Sequence, residues 1–293
     1  MLHSMAGPAH LKGLLGQDRL LVAPGVYDGL SARIAEQAGF EVLYVSGGAV
    51  ARSMGVPDVG LVSLAETAKR LEEIREVTSL PLVADADTGY GNEINVIRTV
   101  RMLERAGAAA VHLEDQVTPK KCGHYQVKEV VDAEEMVRKI RAALDARQDP
   151  DFLVIARTDA LAVLGLDEAI RRGRRYAEAG AGMIFVEAPR SEEELERIAR
   201  ELAGIPLLVN MFHGGKTPLV PAARLEAMGY RLMIVPSDMQ RAAIYGMQRA
   251  ARLLRQRGDT APMAGEMAGF AERDEIVGLP EVKALETRYL EEG

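Results

Sequence analysis

A single cysteine and no tryptophan occur among the 293 residues of this chain. One thiol cannot close an internal disulfide, so a reducing cytoplasm is the expected compartment. An excess of positive charge is also missing. The formal charge of −7 argues against non-specific nucleic-acid binding, which needs a basic face. No apolar run approaches the length of a membrane-spanning helix. The opening stretch, MLHSMAGPAHLKGLLGQDRL, has no basic start followed by an unbroken apolar segment, so no signal peptide is expected. No linker rich in Pro, Ser or Gly divides the chain, which points to one domain over residues 1–293. What is present is 48% hydrophobic and 27% charged residues, ample material for a globular core.

Eight short runs rich in Val, Ile and Leu recur: LLVAPGVYD, EVLYVSGG, LPLVADADTG, AAVHLEDQ, FLVIARTDA, GMIFVEAP, IPLLVNMF and RLMIVPSD. Each is apolar without strict alternation, as parallel strands covered on both faces should be. Between them lie stretches with the 3.6-residue period of amphipathic helices, such as SLAETAKRLEEIREV, NVIRTVRMLERAG and DEAIRRGRRYAEAG. Five helix-to-strand connections carry a glycine in the form AGF, AGA, AGA, AGI and MGY, at Gly39, Gly107, Gly180, Gly204 and Gly229. Glycine there can take the left-handed conformation that stops a helix. The succession predicts an α/β fold, a (β/α)₈ TIM-type barrel, with a doubly wound open sheet as its rival. The tail from Gly258 to Gly293 reads as a C-terminal helical extension, covering the barrel or reaching a neighbouring subunit.

Nearly every predicted strand ends in polar residues: Asp28, Ser46, Asp85 with Asp87, Glu114 with Asp115, Arg157 with Asp159, Glu187, Asn210 and Ser237. Taken singly, Asp28, Asp159 and Ser237 read as strand ends reaching solvent. The set as a whole reads as the catalytic end of a barrel. Asp85 and Asp87 are two residues apart and face the same way on an extended strand. Paired carboxylates with room for water suit Mg²⁺ or Mn²⁺, and Glu114 could add a ligand or hold a water. The SGGAVA stretch offers backbone N–H groups that could cradle a carboxylate or phosphate, although a tight turn also needs glycine. GGKTP at 214–218 lacks the upstream glycine of a P-loop, with Asn210 in its place. Arg157 would point into the mouth, as an ion-pair partner of Glu187 and as a carboxylate clamp. Among the histidines, His3 and His10 fall in a terminus expected to be mobile, His112 reads as a buried strand residue, and His213 stays undecided. The one thiol, Cys122, sits in PKKCGH, a cationic setting that favours thiolate.

The motifs YVSGG, GVPDVG, DADTGYGN, HLEDQVTPKKCGH, ARTDA, FVEAP and NMFHGGKTPL together resemble the isocitrate lyase/phosphoenolpyruvate mutase superfamily, over almost the whole chain. The resemblance implies a homotetramer with C-terminal helices exchanged between subunits, Mg²⁺ (or Mn²⁺), and a 2-hydroxy or 2-oxo carboxylate substrate. Carried over by position, Tyr44, Ser46, Gly47 and Gly48 would hold the substrate carboxylate. Asp85 and Asp87 would organise the metal, with Asp58 and Glu114 acting through water. Arg157 and Glu187 would flank the substrate, and Asn210 would bind its far end. Cys122, Gly123 and His124 would form the catalytic loop. There the thiol would protonate a carbanion, and Lys120, Lys121 and His124 would stabilise the thiolate left behind. Arg241 and Arg273 match positions that serve the extra carboxylates of tricarboxylic substrates. They favour cleavage of 2-methylisocitrate into pyruvate and succinate. FHGGKTPL, where the family commonly shows glutamate, is more like the lyases of substituted malates and the mutases. The alternatives are therefore a substituted malate or oxaloacetate as substrate, or phosphonomutase chemistry.

Overall fold

The computed structural model describes residues 7–121 and 128–291. Its eight parallel strands are β1 (Leu21–Val26), β2 (Leu43–Val45), β3 (Leu82–Asp85), β4 (Ala110–Glu114), β5 (Leu153–Thr158), β6 (Met183–Val186), β7 (Leu207–Asn210) and β8 (Leu232–Val235). Each pairs with the next, and β8 pairs back onto β1, Leu21 opposite Leu232 and Pro24 opposite Val235. The sheet is closed, which settles the barrel against the open sheet. The five glycines that end helices all have positive φ, from 86° at Gly39 to 106° at Gly180. A side chain would be strained in that backbone, so glycine fixes where each helix stops and the chain turns into its strand.

Side-chain alternation divides the core in two. Leu43, Val45, Leu82, Ala84, Val111 and Leu113 point outward into a layer shared with the surrounding helices. Leu21, Ala23, Tyr44, Val83, Ala110, Ile155, Met183, Phe185, Leu208, Leu232 and Ile234 fill the barrel itself. The bottom is closed by a helix over Pro8–Leu15, whose Leu11 and Leu14 join that inner cluster. The terminus expected to be mobile is therefore ordered from Pro8, because two leucines three residues apart share one helical face and bury it. His10 lies on the exposed side of this helix, and His3 falls outside the described residues.

After β8, a helix over Asp238–Arg257 buries only Gln240. A short 3₁₀ segment (Ala261–Glu266) and helices over Phe270–Ile276 and Leu279–Glu291 follow, as the sequence predicted for the tail. The last two bury no residue, and Phe270, Tyr289 and Leu290 are more than 65% exposed. This extension contributes almost nothing to the core of its own chain.

Leu11→Ala should cost about 2–5 kcal/mol in chemical denaturation, the range for emptying a buried leucine site. A loss below about 0.5 kcal/mol, typical of surface positions, would mean that the helix does not seal the barrel.

Candidate active site

The alternation that packs the barrel interior also aims the site. Two residues beyond each inward apolar side chain stands an inward polar one: Val83 leads to Asp85, Ala110 to His112 and Glu114, Ile155 to Arg157, Phe185 to Glu187, Leu208 to Asn210, and Tyr44 to Ser46. These residues meet at the carboxyl ends of the strands around a cavity of about 310 Å³. Tyr44, Ser46, Gly48, Asp58, Asp85, Lys120, Arg157, Glu187, Asn210 and Arg241 all line it. Nine of these ten were candidate site residues in the sequence; Lys120 was noted only beside the thiol. Phe185, Phe212, Ile234, Pro236 and Ile244 supply an apolar wall with no signal in the sequence beyond hydrophobicity.

The SGG stretch caps a short helix over Gly47–Ser53, with Ser46 Oγ accepting from the Ala49 amide at 3.2 Å. Both glycines are required by close approach. A Cβ on Gly47 would lie 2.6 Å from Asp85 Oδ2, and one on Gly48 would lie 2.7 Å from Asp58 Oδ2. The turn is thus packed directly against two carboxylates. Gln240 fastens it from the far side by donating to Ala49 O at 2.7 Å.

Asp85 receives the Asp87 amide at 3.0 Å and lies 3.5 Å from both Tyr44 Oη and His112 Nε2. Burial works against its charge, yet His112, Lys120, Arg157 and the Asp87 amide hold it down, at about 2. Burial also pushes the His112 imidazole towards its neutral form. Burial moves Asp87 and Glu114 the other way: Asp87 is pushed up to about 7 and Glu114 well above the usual carboxylate range. One carboxylate stays ionised beside two that tend to hold a proton, a split typical of catalytic sites. Asp87 adopts φ 47°, a left-handed conformation that aspartate tolerates better than most residues.

Lys120 differs from its expected role. Its ammonium is buried 2.6 Å from Asp58 Oδ1 and 2.9 Å from Asp87 Oδ1, so its charge is committed to carboxylates rather than to a thiolate. Lys121 is exposed, and its backbone amide and carbonyl bond the Gln116 side chain. Cys122, Gly123 and His124 lie outside the described residues.

Hard oxygen donors favour a divalent cation here. Glu114 Oε1 is buried without a hydrogen-bond partner among the described residues, and the Lys120 ammonium already stands as a cation between Asp58 and Asp87. Among the described residues no three acidic or His side chains converge as a closed cage. Mg²⁺ does not need one, since it keeps several waters and takes one or two carboxylates directly. The residues fit such an ion, with Asp85 and Asp87 nearest to hand.

Arg157 is held by Glu114 (Nη1 to Oε2, 3.0 Å) and by both oxygens of Asp159 (3.0 and 3.1 Å), with its guanidinium over the Phe185 ring. The principal ion-pair partners are therefore Glu114 and Asp159, not Glu187, because parallel register sets Glu114 opposite Arg157. Asp159 does not reach solvent as its position had suggested; it is fully buried and also takes Lys128 Nζ at 2.6 Å. Asp115 is occupied structurally, accepting from Thr158, Arg172, Tyr176 and the Asp159 amide. Asp28, read from the sequence as a strand end reaching solvent, is half-buried and caps the helix over Gly29–Gln37. Arg241 sits half-exposed at the rim, its guanidinium on the His213 carbonyl. Arg273 does not reach the mouth of its own chain: its helix packs beside Gly29–Gln37, and its guanidinium lies over the Phe270 ring.

A mouth of this kind, at the carboxyl end of a closed (β/α)₈ barrel, is where barrel enzymes carry out their chemistry. Likeness to known proteins narrows that class to a family. The model described as phosphoenolpyruvate phosphomutase matches residues 11–255, and the chain belongs to this family, within the isocitrate lyase/phosphoenolpyruvate mutase superfamily. It is 44% identical to 2,3-dimethylmalate lyase of Eubacterium barkeri, covering 96% of the chain and 97% of that protein. It is 43% identical to 2-methylisocitrate lyase of Aeropyrum pernix, covering 92% and 86%. Among solved structures, 2,3-dimethylmalate lyase superposes with a TM-score of 0.91 at 40% identity, covering 97% and 96%. Oxaloacetate acetylhydrolase in complex with 3,3-difluorooxalacetate follows at 0.90 and 37%, covering 97% of each chain. Phosphonopyruvate hydrolase in complex with oxalate and Mg²⁺ gives 0.89 and 34%, covering 98% and 100%.

Asp115→Asn should destabilise the chain by about 3–5 kcal/mol, the cost of leaving the buried Arg172 without its counter-charge. Urea denaturation checks this, and a change under about 1 kcal/mol would show that Glu168 alone suffices for Arg172.

Proposed function

We propose that this enzyme is a Mg²⁺-dependent carbon–carbon lyase that splits a 2-hydroxy dicarboxylic acid of the alkyl-substituted malate class, releasing pyruvate. The observation that carries the choice is the shape of the charge in the cavity. Carboxylates, Lys120 and Arg157 share the cavity with the apolar side chains of Phe185, Phe212, Ile234, Pro236 and Ile244, and Arg52 and Arg241 complete the lining. Two alkyl groups on a four-carbon diacid suit those apolar side chains, and Arg157 with a second lining arginine suits its two carboxylates. The likeness to 2,3-dimethylmalate lyase in sequence and fold supports the same reading. Mg²⁺ is supported by the oxygen donors and by the phosphonopyruvate hydrolase complex.

In this reading Asp85 and Asp87 hold the metal, with Asp58 and Glu114 reaching it through water. When bound, the ion supplies positive charge to the oxygen that becomes the oxo group of the product. Arg157 orients the neighbouring carboxylate, and the Gly47–Gly48 turn lets that end of the substrate approach the backbone. The 2-hydroxyl passes its proton to a carboxylate of the cluster, the C2–C3 bond breaks as C2–O becomes a carbonyl, and the C2–C3 electron pair passes to C3. Cys122 Sγ then protonates that carbon, with Lys121 and His124 nearby in sequence to stabilise the thiolate. Glu187 and Asn210 line the far side, with Asn210 Nδ2 3.5 Å from Glu187 Oε2.

Arg241 and the likeness to 2-methylisocitrate lyase favour a second reading, in which the substrate is a tricarboxylate. That reading needs another cation, which Arg52 could supply from the cavity lining or Arg273 from a neighbouring subunit. The exposed apolar residues of the C-terminal helices support such an oligomer.

Product release in the presence of Mg²⁺ separates these readings: pyruvate from 2,3-dimethylmalate or 2-methylisocitrate, glyoxylate from isocitrate, and oxalate or pyruvate from oxaloacetate. Turnover should be highest with 2,3-dimethylmalate and should vanish with chelator. Preference for 2-methylisocitrate would move the assignment to the tricarboxylate, and a phosphorus-containing product from a phosphonate would move it to the mutases. Cys122→Ser should keep the fold and metal binding while losing turnover by on the order of a thousandfold; full retained activity would remove the thiol from the mechanism.

A further inference from the structure

We infer that Lys128 acts on Arg157 through Asp159, and that its charge keeps the guanidinium electrically available to a substrate carboxylate. The inference rests on the reading of Arg157 as the residue that orients that carboxylate. Asp159 spans Nε and Nη2 of Arg157 with its two oxygens, at 3.0 and 3.1 Å. This bidentate contact by itself would satisfy a buried arginine. Lys128 nevertheless brings a third charge into the cluster, with its side chain 2% exposed and Nζ 2.6 Å from Asp159 Oδ1. Desolvating another ammonium is costly, and the ion pair beside it does not require one.

The addition changes the net charge. Arg157 with Asp159 sums to zero, and a neutral pair offers little attraction to an incoming anion. With Lys128 the three groups sum to +1, and Asp159 is shared between two cations. Glu114 faces Arg157 from the other side and contributes equally whether or not Lys128 is present, so it cancels from any comparison of variants at this lysine. The backbone of Asp159 is pinned separately, through its amide to Asp115 Oδ1 at 2.8 Å. Removing the lysine charge therefore leaves the aspartate in place to neutralise Arg157.

Charge balance makes a prediction that a purely structural role does not. Oxalate with saturating Mg²⁺ is the probe, and calorimetry on the full chain gives its affinity. Lys128→Met should weaken oxalate binding about tenfold or more, the loss appearing in KM for the hydroxy acid more than in kcat. Lys128→Met combined with Asp159→Asn restores the sum to +1 and should return the affinity to within about threefold of wild type. Asp159→Asn alone should bind oxalate at least as tightly as wild type, and this holds the test if the lysine variant does not fold. The inference is overturned if Lys128→Met binds oxalate normally, if the double variant stays as weak as Lys128→Met, or if Asp159→Asn alone weakens binding. Arg157→Met separates the two levels. Loss of binding there with none in Lys128→Met keeps Arg157 as the carboxylate residue and sinks the role of Lys128. Unchanged binding in Arg157→Met removes the reading of the site itself and this inference with it.

Discussion

Charges held out of water at the mouth of a barrel must answer one another, and the rest of this molecule is arranged around that constraint. Asp58, Asp85, Asp87, Glu114, Asp159 and Glu187 are all buried within one cavity's reach or its immediate surroundings. Six carboxylates in so small a volume repel strongly, and burial alone would protonate most of them. Lys120, Lys128 and Arg157 are the buried answer, each touching at least one of the six. The closed hydrogen-bonding of the barrel keeps these groups from drifting apart to relieve the cost, because strand register fixes where each side chain projects.

That same register explains why so much of the site could be read from the chain. A parallel strand buried on both faces looks apolar until its last residues, and the first inward polar position marks the mouth. Asp85, Glu114, Arg157, Glu187 and Asn210 are visible in this way, and the glycine stops at Gly39, Gly107, Gly180, Gly204 and Gly229 mark where each unit resets. Partner choice was less legible. Asp159 lies one residue beyond its strand, where local pattern cannot tell a solvent-facing end from a fully buried one. Lys120 looked like a neighbour of the thiol because adjacency along the chain is all a sequence displays; in space its ammonium reaches back across the barrel mouth to Asp58. Arg273 could not be placed for a related reason, since a helix beyond the last strand has no register to place it.

Part of the cavity is lined by residues that the strands do not specify. Phe212 follows β7, Pro236 and Ser237 follow β8, and Ile244 sits on the helix that leads away. These positions can change without disturbing the Asp85–Arg157 end. A conserved chemistry of bond breaking is therefore compatible with relatives whose names differ in substrate, as 2,3-dimethylmalate lyase and 2-methylisocitrate lyase do.

The helix over Pro8–Leu15 seals the barrel from below, with Leu11 and Leu14 packed into its interior. Side chains fill the barrel above it, so the cavity opens at the carboxyl ends of the strands. In the reading proposed above, a fragment held beside Asp85 and Arg157 would leave past the position of the other, so the outer fragment would go first.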